Sequence, residues 1–125
     1  MASCAKPNLI SNLLAASSMA SNQYKAVVLG GSGISLASTG QNAIGILQNA
    51  PASGGVCEIA IAGGGGLAKI GGTVTAGDLL EANSSGLLVY ATGAAENIIA
   101  RALESGVSND VISVQVLFDR VGNTV

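Results

Sequence analysis

From Tyr24 onward the chain never sustains an apolar run for more than a few residues before Gly, Asn, Ser or Pro cuts it. A stable helix needs an unbroken 3.6-residue period over ten or more positions, whereas short punctuated runs suit strands joined by tight turns. The pattern predicts strands over 23–29, 33–37, 43–48, 56–62, 67–70, 79–82, 87–91, 98–103 and 111–118. Between them, 30–33, 49–55, 83–86 and 105–110 hold the Gly, Asn, Asp, Ser and Pro that reverse a chain. The last strand is the most regular, with Ile112, Val114, Val116 and Phe118 alternating against Ser113, Gln115 and Leu117, which places the first four in the core. Residues Ala100 to Leu103 would also accept a helical turn; the punctuation around them favours strand. The expected class is all-β, a small β-barrel or β-sandwich.

Residues 1–22 read differently and form an N-terminal arm ahead of a single β domain over 23–125. Leu9, Ile10, Leu13 and Leu14 have the spacing of one face of a short helix, with Pro7 and Asn8 suited to its start. So short a helix is marginal alone and needs a surface to bury its stripe. That surface is either the chain's own β domain or a neighbouring copy or partner, and the second is the expectation carried forward, with these four as interface residues. Leu9 to Ala16 followed by Ser18-Met19-Ala20 is a poor secretion signal, since Lys6 is the one early cation and Ser11 and Asn12 interrupt the apolar run. No stretch is long enough for a transmembrane helix.

Composition narrows the function. With 125 residues the chain makes one domain. It has no His, which removes the side chain that titrates nearest neutrality, the Ser-His and Cys-His pairs, and the commonest metal ligand. A net charge of −2 without a Lys/Arg cluster argues against nucleic acid as a partner. Only 10% of residues are charged, far below the usual quarter of a soluble domain, so much of the surface is expected to be covered by copies or partners.

The motifs repay weighing against their structural readings. Cys4 and Cys57 have neither metal-ligand nor redox spacing, and Cys57 alternates with Ile59 and Ile61 as a small core residue would. The run 27–33 ends in Gly30-Gly31-Ser32-Gly33 but lacks the dinucleotide-binding glycine spacing and reads as a hairpin turn. Gly63 to Gly66, followed by Lys69, lacks the Gly-Lys-Ser/Thr ending of a phosphate loop and reads as a flexible or tightly packed loop, where the lack of Cβ lets backbones approach closely. Of the seven carboxylates, Asp78 and Glu81 lie closest together, and Asp78 after Gly77 suits a turn-capping role better than acid–base work. No catalytic residue, no metal site and no cofactor are expected. Residues 72–80 resemble the turn and strand of biotinyl and lipoyl carrier domains, without the lysine at a hairpin tip that would carry the cofactor. A carrier or small-ligand-binding β module is therefore the alternative reading.

Four blocks occur in order: Gln23-Tyr24-Lys25-Ala26-Val27, Ala43 to Pro51, Thr75-Ala76-Gly77-Asp78-Leu79 and Ile98 to Glu104. A strand with a Gly-rich loop lies between the second and third, and a Gly/Asp-containing turn leads from the fourth into the last strand. Over about residues 23–118 this series resembles the capsid cement, or head decoration, proteins of tailed bacteriophages. The resemblance implies a β-rich virion protein on the outer surface of the capsid that clamps neighbouring major capsid protein subunits, often as a homotrimer, with no enzymatic activity.

Overall fold

The computed structural model describes residues 8–39, 41, 43–91 and 98–117, and all regular structure among them is β. Ten strands follow in order: β1 (Leu9–Leu14), β2 (Ala26–Gly30), β3 (Gly33–Leu36), β4 (Gly45–Leu47), β5 (Val56–Ala60), β6 (Gly65–Lys69), β7 (Leu79–Ala82), β8 (Leu88–Tyr90), β9 (Ala100–Ala102) and β10 (Val111–Val116). They form two five-stranded antiparallel sheets, ordered β1-β5-β4-β2-β3 and β6-β10-β9-β7-β8. The two sheets pack as a β-sandwich, so of the two expected architectures the sandwich is the one adopted. Each of the nine strands read from the sequence is present, within a few residues at its ends; Phe118 lies outside the described residues.

The tenth strand corrects the sequence reading. Residues 9–14 are not a helix but β1, an edge strand paired antiparallel with β5 through Leu9 opposite Ala60, Ile10 opposite Ile59, Leu13 opposite Cys57 and Leu14 opposite Val56. A register shift between Ile10 and Leu13 inserts an extra residue. That bulge puts two residues three apart on one face of the strand, which is how a strand came to carry apolar spacing typical of a helix. The stripe is divided accordingly: Ile10 and Leu13 turn inward with Ile59 and Cys57, and Leu9 and Leu14 turn outward.

The two sheets have one topology. Adding five to each strand number of the first order gives the second. The hydrogen bonds follow suit at a nearly constant offset. Ala15 N–H donates to the Gly55 carbonyl at 2.9 Å and Ile70 N–H to that of Asp110 at 3.0 Å. In the same way Met19 donates to Pro51 and Val74 to Gly106, and Leu47 donates to Lys25 and Ala102 to Asp78. Single parallel bridges, Ala15 to Ile34 and Ile70 to Leu88, join the edge strands of each curled sheet at equivalent places. Even the backbone exceptions recur: Tyr24 (φ 70°) matches Gly77 (φ 97°), and Gly54 (φ 78°) matches Asn109 (φ 75°). The chain is an internal structural repeat, with residues near 8–61 superposing in topology on residues near 63–116.

Two cores result. Ala15, Met19, Val27, Ile34, Leu47, Cys57 and Ile59 fill the first, entirely from the first half. Their counterparts Ile70, Val74, Leu80, Leu88, Ala102, Ile112 and Val114 belong to the second, which also takes in Ala26, Ala37, Ile46 and Ala60 from the outer face of the first sheet. The halves meet closely at Gly66 in β6, where a Cβ would lie 2.9 Å from that of Ala60. The run read as a loop thus gives its last two glycines to β6, and the close approach falls within that strand.

Candidate assembly surface

The residues singled out for chemistry resolve into structural roles. Asp78 Oδ2 accepts the Thr75 N–H at 2.9 Å, while Asp78 N–H donates to the Thr75 carbonyl at 3.0 Å, closing the turn into β7. Asp110 repeats the arrangement with Val107, at 2.9 Å for both bonds. Lys69 ends β6 with Val111 as its cross-strand partner, and Glu81 in β7 faces Val89, with β10 and β9 ordered between those strands. Cys57 is fully buried, as its alternation with Ile59 indicated, and burial pushes its thiol pKa up. Among the described residues no group of three or more His, Cys, Asp or Glu side chains stands close enough to hold a metal ion. The lysine nearest the carrier-like segment sits in a strand rather than at a hairpin tip.

What the surface does offer is apolar. Leu14 is 52% exposed and Val56, directly opposite it, 49%. Leu9, 45% exposed, lies on the same outward side of β1 opposite Ala60, with the exposed Glu58 of β5 between Ala60 and Val56. The expected interface stripe therefore contributes Leu9 and Leu14 to this outward side. Ile10 and Leu13 are half-buried on the other side, where Leu13 packs against the first core. Leu103 and Val107, beyond β9, are also exposed. Val56 and Leu103 were missed as surface groups because each adjoins a segment with a regular strand pattern, and only the sheet order shows which face is left open.

Two side chains missed by the sequence reading join elements. Gln48, just past β4, reaches from the first sheet to the free edge of β6: its Nε2 donates to the Leu67 carbonyl at 2.9 Å and its Oε1 accepts the Leu67 N–H at 3.3 Å. Beside it the Tyr24 carbonyl accepts the Lys69 N–H at 2.8 Å. Asn49 acts within the first half, donating from Nδ2 to the Val56 carbonyl and accepting the Glu58 N–H, each at 3.0 Å. Glu104 stands in the equivalent place of the second half and accepts the Ser113 N–H at 2.7 Å. An amide that mimics a peptide group carries no sequence signature, so only the fold exposes it.

No protein-family profile matches the sequence, and no curated protein matches it. Among solved structures the chain is similar to the N base of the head fiber protein gp8.5 of bacteriophage phi29, with a TM-score of 0.70 and 14% sequence identity over 90% of this chain and 98% of that one. At that identity the likeness is one of fold, and it extends over nearly the whole of both chains.

Proposed function

We propose that this chain is a structural protein of a tailed-phage head, attached to the outer surface of the capsid, where it binds the major capsid protein as a cement or decoration protein or as the base of a head-attached appendage. The observation that carries the reading is the near-complete fold match to a phage head fiber base, reached independently of the sequence blocks that resemble cement proteins. The low charge supports it, because a surface largely covered by other subunits needs fewer solvated ions. So do the exposed aliphatic side chains of Leu9, Leu14 and Val56. Self-association as a homotrimer fits the same reading, since many weak symmetric contacts add up through avidity. In this role the protein needs neither catalysis nor a cofactor, and nucleic acid and membrane have no part in it.

The test is co-sedimentation of the purified chain with heads lacking it. Saturable binding, lost when the capsid lattice is disassembled into free subunits, is expected. Absence of binding to intact heads at any ratio would overturn the reading.

A further inference from the structure

The internal repeat sorts the exposed aliphatic side chains into two kinds. Several are exposed in one half only: Leu29 of β2 answers to the buried Ala82 of β7, Leu14 to Lys69, and Leu103 to the half-buried Gln48. Such differences are expected where one half packs on the other. Val56 and Val111 are of the second kind. The 55-residue offset that takes Ala15 to Ile70 and Gly55 to Asp110 takes one to the other, and both are exposed, at 49% and 37%.

The hairpins that lead into these two valines are alike in more than topology. Gly55 N–H donates to the Ala52 carbonyl at 2.8 Å and Asp110 N–H to the Val107 carbonyl at 2.9 Å, so Ala52 and Val107 hold one place, and both are exposed. Between residues 43–61 and 98–116, three aligned positions share a residue: Ile44 with Ile99, Ser53 with Ser108, and Val56 with Val111. Ile99 is buried and Ile44 packs against the first core, so packing accounts for that pair. The other two pairs lie in the hairpins and are exposed, where burial imposes no choice of side chain. Charge is nearly absent as well. Residues 49–56 carry none, and in 105–111 the single ionic group, Asp110, has its Oδ2 turned to the Val107 N–H at 2.9 Å. The segments outside the described residues join the other ends of these strands: 1–7 ahead of Leu9, which pairs with Ala60, residues 40 and 42 ahead of β4, 92–97 ahead of β9, and 118–125 after β10.

We propose that the hairpin tips 52–56 and 107–111 are the capsid-binding surface, each seated on an uncharged, largely apolar site of a major capsid protein subunit, so that one chain bridges two subunits. Two like patches on one chain suit a partner that is itself repeated, as a lattice of identical subunits is. Their lack of charge calls for a partner surface without charge, the usual make-up of an interface core. Two contacts weak by themselves add up through effective concentration when one chain makes both. The proposal rests on the head attachment put forward above, to which it assigns the surface.

Val56→Lys and Val111→Glu, singly and together, test it, the second placing its new charge opposite Lys69. Both sites are exposed, so circular dichroism and the melting midpoint should match the native chain. Should either charge lower the melt, Val56→Thr and Val111→Thr, of the same shape, take its place with the same reading. Co-sedimentation with heads lacking the chain is read beside the sedimentation mass of each free variant. The expected result is an affinity for heads about tenfold lower in each single variant and a further loss in the double, at unchanged mass of the free protein. Variants that bind heads as the native chain does, or a loss confined to one of the two sites, overturn the two-site surface and leave head attachment standing. A fall in the mass of the free variants also overturns it, because it assigns the hairpins to contacts between copies. A native chain that does not bind heads overturns both.

Discussion

Gly45 marks the tightest contact between neighbouring strands in the first sheet. A Cβ there would run into the carbonyl oxygen of Ala60 and lie 2.7 Å from Ile59 Cγ2, so backbone, not a flexible side-chain tip, would have to yield. Gly45→Ala should destabilise the protein by about 2 kcal/mol or more, the scale of overpacking in a closed core. Gly72, with nothing within 4 Å of its Cβ position, is the control, and Gly72→Ala should stay within about 0.5 kcal/mol of the native chain. Urea titration of the pair reads the difference directly. Cys57 gives a pH prediction at the same scale. Its thiol is raised by burial, so above about pH 8.5 the unfolded chain releases a proton that the folded chain keeps. The contribution of Cys57 is constant below that pH and falls as pH rises toward the folded value. Cys57→Ala should flatten this alkaline slope; an identical slope in both proteins would assign it to other groups.

At the scale of elements, β10 and Gln48 carry the most consequence. Val116 is 3% exposed on the same face as Ile112 and Val114. Val116→Asp should cost about 3–5 kcal/mol as an unpaired buried charge, enough to abolish a cooperative melt. Gln48→Ala would leave both peptide groups of Leu67 without their partner at the junction of the sheets, a loss of about 1–3 kcal/mol of unfolding free energy, read from denaturant titration. How far these elements were legible depends on what signals them. β10 was, because alternation over Ile112, Val114 and Val116 is a local pattern. The Asp78 turn was, because Gly77-Asp78 has one natural backbone use. β1 was not: its bulge gives Ile10 and Leu13 a helical spacing, and the partner that makes it a strand lies over forty residues away in β5. Gln48 was not, since its role is set by the approach of a second sheet. Of the candidate surface, Leu9 and Leu14 were legible as apolar groups needing cover, while Val56 and Leu103 required the sheet order.

Taken whole, the molecule is two copies of one topology. Equivalent positions rarely share a residue, as Cys57 and Ile112 or Leu47 and Ala102 illustrate, and for that reason the repeat is carried by hydrogen bonds and not by sequence. The halves should nonetheless unfold together. Residues 46 and 60 face the shared core while Leu47 and Ile59, their neighbours along β4 and β5, face the first, so those two strands serve both. Ile59→Ala, a cavity in the first core, should lower a single calorimetric transition by about 2–5 kcal/mol of stability and not split it in two. The central claim, a protein attached to the outside of a phage head, is tested most directly by cryo-electron microscopy of heads assembled with and without this chain. The account predicts extra density on the outer face of the shell, at fixed lattice positions, into which this ten-stranded fold docks. Heads whose outer density is identical in the two preparations, or extra density confined to the interior or the tail, would contradict it.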